Sequence, residues 1–416
     1  MQKMFYVKNI AYLTFFEDLN YPILKSQVIA VLEKVAKKRK AKKIYLISFQ
    51  ELFSVFRKRR EYAEMKSELG KIGISLLILP TLKLPRADFL RPKWYFLPFI
   101  LLFALPPLFL MANLKKIKIL HARSYVPMYL AINLKKILPR LKLIFDPRSP
   151  FPEENLHSGR WSRGSLSFKT WKRLEEEFLK EADFTIAISE NFAKQFASSA
   201  KKIVIIPNNV DCQFFRRNER SRRIIRERLK ILPAELVFVY GGSLGSGWNN
   251  PKAYAEFIKS LRTYPKKHQF LFLTNELLIL EESLGKEGVK KEEYLAKSLK
   301  SAEMPKYLSV GDFGLNLMLK KDVRMSIKTA EYLACGLPIV TNDKVLGAKT
   351  IVEKWQVGLV LDSLNKVNFE KMDQLVRRDV YFKKRARRLA VKLFDTGVVA
   401  KKYVALYQEL MRRENE

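Results

Sequence analysis

From Asn9 to Pro207 short apolar runs alternate with amphipathic segments. Strands are expected at Ile10–Phe15, Lys43–Phe49, Ile74–Leu79, Ile117–His121, Leu141–Asp146, Phe184–Ile188 and Ile203–Ile206, with helical patterns between most of them. That rhythm predicts a parallel sheet in an α/β layer fold. It resumes at Leu236–Tyr240 and Leu271–Thr274 and is sharpest over Arg324–Asn342. There Ser326 reads as an N-cap, and Ile327, Ala330, Leu333 and Ala334 recur at helical spacing. Gly336 supplies a left-handed stop, Pro338 follows, and Ile339-Val340 opens a strand buried on both faces. Pro251 starts another helix, and an amphipathic helix is expected over Val398–Arg412. Tyr95–Ala112 carries no charge over eighteen residues, long enough to raise a membrane span. Pro98, Pro106 and Pro107 are expected to interrupt a continuous helix. The flanking strands should also share one sheet, which a single crossing would separate. The segment therefore reads as a crossover helix that packs on the sheet or as a dip into one leaflet and back. The favoured reading is a packed helix with one exposed apolar edge in touch with the membrane.

With 416 residues the chain has room for two domains, and 48% hydrophobic content supplies two cores. Two cysteines, Cys212 and Cys335, lack metal-ligand spacing and suit a reducing compartment. No basic stretch followed by an apolar one opens the sequence, so no signal peptide is expected. The formal net charge is +36, with basic clusters at Lys34–Lys43, Arg57–Arg60 and Arg216–Arg228. Nucleic acid, an anionic membrane or a merely solvated surface each account for such charge. No RNA-recognition, zinc-finger or helix-turn-helix pattern supports the first.

Candidate chemistry sits where strands end, because open α/β sheets bind ligands beyond the carboxyl ends of their strands. The N-terminus of the Ser326 helix offers free N–H groups and partial positive charge to an anion, and Arg324 and Lys328 add formal charge. Glu331, one turn in, suits a ribose diol better than a bare phosphate. The small residues Gly241–Gly247 after the Leu236–Tyr240 strand let backbone amides approach a pyrophosphate. In the first half, His121-Ala122-Arg123-Ser124 and Asp146-Pro147-Arg148-Ser149 end successive strands, followed by Glu153-Glu154. No Asp-x-Asp occurs, which removes the usual metal bridge to a diphosphate.

The run Lys328-x-x-Glu331-Tyr332-Leu333-Ala334-x-Gly336-x-Pro338-Ile339-Val340 resembles the family 4 retaining glycosyltransferases, in a sub-group with an Asp-x-Arg segment and a Ser-x-Lys entry. The resemblance implies a GT-B fold: two Rossmann-like domains with a cleft between them and a C-terminal helix crossing back. It places an acceptor domain at 1–207, a donor domain at 208–395 and the returning helix at 396–416. It implies metal-independent transfer, with retention, from a UDP- or GDP-sugar to a hydroxyl of a glycan or lipid-linked acceptor, with no cofactor and no nucleic-acid partner. His121, Arg123, Asp146, Arg148 and Glu154 would be catalytic. Gly242, Ser243, Gly245, Asn275, Arg324, Ser326, Lys328 and Glu331 would hold the donor. A cytoplasmic enzyme resting on the inner, anionic membrane face is the expected setting. Two departures stand out. Val323 occupies the position of the first Glu in the family's Glu-x7-Glu pattern, and Arg123 stands where many relatives carry the second His of His-x-His. An epimerase of the same fold and a basic nucleic-acid-binding protein are the alternatives.

Overall fold

The computed structural model describes residues 9–37, 43–82, 91–244 and 250–412. The chain divides into two compact units, one formed by residues up to Ile206 together with those from Val399 onward, the other by Pro207–Val398. Gly245 and part of the 34–43 basic run lie outside the described residues.

The first unit is built on seven parallel strands: β1 (Ile10–Phe15), β2 (Ile44–Glu51), β3 (Ile74–Thr81), β4 (Ile119–Arg123), β5 (Lys142–Asp146), β6 (Phe184–Ala187) and β7 (Ile203–Ile205). Their order is β3-β2-β1-β4-β5-β6-β7. Every residue of β1 is buried, as a central strand covered on both faces requires. The order reverses between β1 and β4, whose pairing sets Tyr12 beside His121, while β4 and β5 set Arg123 beside Asp146. The polar strand ends thus gather at the switch point, where such sheets bind ligands. The closing helix, Thr396–Arg412, lays Val399, Ala400, Tyr403, Tyr407 and Leu410 into this unit's core.

The second unit has six parallel strands: β8 (Leu236–Gly241), β9 (His268–Leu273), β10 (Tyr294–Lys297), β11 (Phe313–Asn316), β12 (Ile339–Asn342) and β13 (Gly358–Leu361). They run in the order β10-β9-β8-β11-β12-β13, with the switch between β8 and β11. The edge strands β10 and β13 escape a reading of the sequence because each is short and has a single fully buried residue. Strand β12 is buried throughout, as its apolar run implies.

The apolar segment forms one helix, Leu97–Leu114, that continues through Pro106 and Pro107. This corrects the expectation of an interrupted helix. Pro98 lies in the first turn, where a missing N–H costs nothing. The adjacent prolines together remove only the hydrogen bonds to the Leu102 and Phe103 carbonyls.

Candidate functional site

In the second unit the site begins with the helix Ile327–Ala334. Ser326 adopts extended backbone and its hydroxyl accepts from the Lys328 N–H at 3.3 Å, which makes it the N-cap. At the other end Gly336 takes φ +71°, with Gly336 N–H bonded to Leu333 O and Leu337 N–H to Tyr332 O. That pair of bonds is a Schellman stop. The cap at one end and the glycine at the other fix where Lys328 and Glu331 project.

Lys328 folds back over β8. Its Nζ donates to the Tyr240 hydroxyl at 3.0 Å and lies 4.6 Å from the centre of that ring. Gly242, at φ +137°, makes room for it: a Cβ there would stand 2.4 Å from Lys328 Cε. Burial lowers the Lys328 ammonium to about 8, although Glu331 opposes the shift. Burial likewise raises the Glu331 carboxyl to about 7, against the pull of Lys328. Glu331 makes no hydrogen bond to the described residues, whereas Lys328 has spent one of three protons. An ammonium and a carboxylate, both partly desolvated and both short of partners, stand within one helical turn.

The loop after β8 is stapled in place. Ser243 Oγ donates to Glu276 Oε1 at 2.8 Å, the Leu244 N–H donates to the other oxygen, and the Tyr240 hydroxyl donates to Ser243 O at 2.6 Å. The Gly241 N–H donates to the Tyr332 hydroxyl at 2.8 Å, which ties β8 to the helix that carries Glu331. Asn275 is exposed beyond β9, its Oδ1 accepting from Ser298. Arg324 differs from expectation: Nε and Nη2 grip Asp322 at 3.0–3.1 Å, so its charge is already countered. Tyr240, Glu276 and Asp322 were missed by sequence reasoning, and Tyr332 entered it only as part of the motif run. A tyrosine ending a strand one residue before Gly-Gly was the available signal for Tyr240.

In the first unit His121, Arg123, Asp146 and Arg148 come together around a buried His121–Asp146 pair, with Arg148 and Glu17 partly exposed at its edge. His121 and Asp146 are each 0% exposed. His121 Nδ1 lies 3.0 Å from the Tyr407 hydroxyl and Nε2 lies 3.6 Å from Asp146 Oδ2, while Tyr12 donates to the same carboxylate at 3.4 Å. Arg123 Nε meets both oxygens of Glu17 at 3.0 Å, and Arg148 Nη1 stands 3.5 Å from Asp146 Oδ1. Burial alone would raise the Asp146 carboxyl. Arg148, His121 and Arg123 outweigh it and hold the group at about 2. Burial lowers the His121 imidazole, which stays neutral. Ser124 at φ 74° and Arg148 at φ 62° hold sparsely populated backbone at the ends of β4 and β5. Glu154 accepts from Ser149 Oγ at 2.7 Å, outside the cluster around Asp146. His121 and Asp146 therefore sit beneath the strand ends with no side-chain surface of their own exposed.

Among solved structures, a sucrose-phosphate synthase from Thermosynechococcus elongatus superposes with a TM-score of 0.72 at 14% identity, over 98% of this chain and 100% of that one. HepE from Anabaena, in complex with UDP, gives 0.70 at 13% identity over 96% and 100%. The fold is GT-B. A glycosyltransferase from Rickettsia africae gives 0.67 at 15% identity over 97% and 98%. Residues 69–214 match the family described as Glycosyltransferase Family 4, and residues 260–405 match Glucosyltransferase 3-like, C-terminal domain. No curated protein matches the chain in sequence. Within the GT-B architecture, the Lys328–Glu331 site lies inside the second matched stretch and the His121–Asp146 cluster inside the first.

Proposed function

We propose that the protein transfers a glycosyl group from a nucleoside-diphosphate sugar to an acceptor hydroxyl, with retention, and that its second unit holds the donor. One observation carries this reading: Lys328 and Glu331 stand on one capped helix, partly desolvated and, among the described residues, short of hydrogen-bond partners. The diphosphate would rest against the Ser326 helix N-terminus and the two unspent protons of Lys328, while Glu331 would accept from the ribose hydroxyls. As the bond from the sugar's anomeric carbon to the diphosphate breaks, negative charge grows on the leaving oxygen. Lys328 and the helix N–H groups then stabilise the transition state more than the bound donor. The acceptor oxygen bonds to the anomeric carbon on the face the diphosphate leaves, and its proton passes to the departing phosphate. No step uses a metal ion, and the acceptor class is a glycan or lipid-linked hydroxyl.

HepE binds UDP and UDP-glucose in its solved structures, so UDP-sugars are the first donors to try. Thermal unfolding with a panel of UDP- and GDP-sugars tests the reading. The right donor at about 100 times its dissociation constant should stabilise the fold by roughly 2.7 kcal/mol. If no nucleotide sugar shifts the melting temperature, and neither UDP nor GDP does, the donor site is lost and the proposal with it.

A further inference from the structure

The Leu97–Leu114 helix presents a surface that the proposed transfer reaction does not use. A surface helix of a water-soluble domain normally turns an apolar stripe inward and a charged face outward. Here Leu97, Ile100, Ala104, Leu108 and Ala112 form the inward stripe, and the helix packs against β3 and the Tyr125–Ile137 helix. The outward stripe is apolar as well: Pro98, Leu102, Pro106, Leu110 and Leu114 recur every fourth residue. Leu102 is 67% exposed, Leu110 53% and Leu114 61%. Only 28% of the helix's most apolar stretch is buried, so it is not a core helix. No charged residue occurs between Lys93 and Lys115.

We propose that this outward face inserts into the headgroup–acyl boundary of a lipid bilayer carrying anionic lipids, lying in the plane of the surface without crossing it. Crossing is excluded by topology. The helix connects β3 to β4, and both belong to the same hydrogen-bonded sheet, so its two ends return to one side. Its inner stripe is already occupied by protein, which leaves one face for lipid. The ends are dressed for an interface: exposed Trp94 and Tyr95 precede the helix, and Lys115 and Lys116 follow it. A second apolar point belongs to the same unit. The Leu52–Arg57 helix also packs on β3 and has no buried residue, and its Phe53 and Phe56 are 75% and 68% exposed. Lys58, Arg59 and Arg60 follow directly. Apolar side chains beside cations match a bilayer with negative headgroups better than they match a protein groove. The inference does not rest on glycosyl transfer, since its test reads lipid partition and not turnover.

Flotation of the full chain with vesicles of phosphatidylcholine containing 30% phosphatidylglycerol tests it, beside the triple variant Leu102→Ser, Leu110→Ser, Leu114→Ser. The wild type should float with the vesicles, and the variant's partition should fall at least about tenfold. Its melting temperature should stay put, because the three side chains touch little protein. Trp94 emission should shift to the blue with vesicles, read as the difference from a Trp94→Phe variant. Equal flotation of variant and wild type would overturn the proposal and leave charge alone as the attraction. So would self-association in the absence of lipid that the triple variant abolishes, since the face would then belong to a second copy of the chain.

Discussion

The two units carry the same kind of sheet with polar residues at the same kind of place, yet they treat those residues in opposite ways. Beyond β4 and β5, His121, Asp146, Arg123 and Arg148 are turned on one another and on Tyr12, Glu17 and Tyr407. Beyond β8, Lys328 and Glu331 are left with unused hydrogen-bonding capacity. Buried charges turned on one another fix structure, even where single atoms such as Asp146 Oδ1, His121 Nε2 and Arg123 Nη1 lack a hydrogen bond to the described residues, and removing one member leaves the others uncompensated. Charge that is desolvated and unsatisfied is held ready for a ligand. Substitution in the first cluster should register as lost stability, and substitution in the second as lost affinity.

The largest effect belongs to Asp146→Asn. It removes a fully buried negative charge facing His121 and Arg148, and should cost about 3–5 kcal/mol of stability in denaturant unfolding. The sign in acid follows from the depressed carboxyl. Its folded value, about 2, lies below the unfolded one, so its stabilisation is present above pH ~4 and fades as pH falls towards about 2. The Asn variant should lack that acid limb. A variant as stable as wild type, with its acid limb intact, would show that the cluster is not structural.

Next in size is Glu331→Ala, which should weaken nucleotide-sugar binding by about 1.5–3 kcal/mol in calorimetry, since the ribose hydroxyls lose a charged acceptor. Stability should not fall, because the carboxylate makes no hydrogen bond to the described residues. A drop in melting temperature with unchanged donor affinity would reverse the contrast between the two clusters.

The sequence made the second cluster far more legible than the first, and the reason is locality. Ser326, Lys328, Glu331 and Gly336 sit on one helix, so cap, spacing and stop can be counted along the chain. Both sheets were visible for the same reason, as apolar runs between amphipathic ones, while the short edge strands β10 and β13 carried too few buried positions to register. In the first unit His121 and Asp146 were correctly placed at adjacent strand ends, but their partners lie far along the chain. Tyr12 comes from β1 and Tyr407 from the closing helix, 286 residues from His121. No local pattern says that such a pair will be roofed over. Arg324 shows the same limit at short range, since Asp322 two residues before it takes up its charge.

The third prediction uses pH. In the proposed donor site Lys328 would bind protonated and Glu331 ionised, and burial has brought their values to about 8 and about 7. Affinity should therefore peak between those values. It should fall as Lys328 deprotonates above about pH 8 and as Glu331 protonates below about pH 7, each by up to tenfold, or about 1.4 kcal/mol, per pH unit. Lys328→Arg should abolish the alkaline limb while the acid limb remains, because guanidinium does not titrate in that range. An alkaline limb that survives the arginine substitution assigns it to another group.

The smallest effect is expected at Tyr407→Phe, and it probes how the buried His121–Asp146 pair is wired. Burial holds the His121 ring neutral and the Tyr407 phenol well above its ordinary value, so at neutral pH the hydroxyl keeps its proton. Nε2 faces the Asp146 carboxylate, which only accepts, and so the ring proton belongs on Nε2. That leaves Nδ1 as an acceptor and Tyr407 as its donor at 3.0 Å. Phenylalanine keeps the ring that packs in the core and deletes one neutral hydrogen bond, worth about 1 kcal/mol. Urea unfolding should show a lower midpoint with an unchanged slope. A loss as large as that of Asp146→Asn would place Tyr407 inside the charge network. No loss at all would mean that Nδ1 finds its donor elsewhere and that the closing helix contributes packing alone.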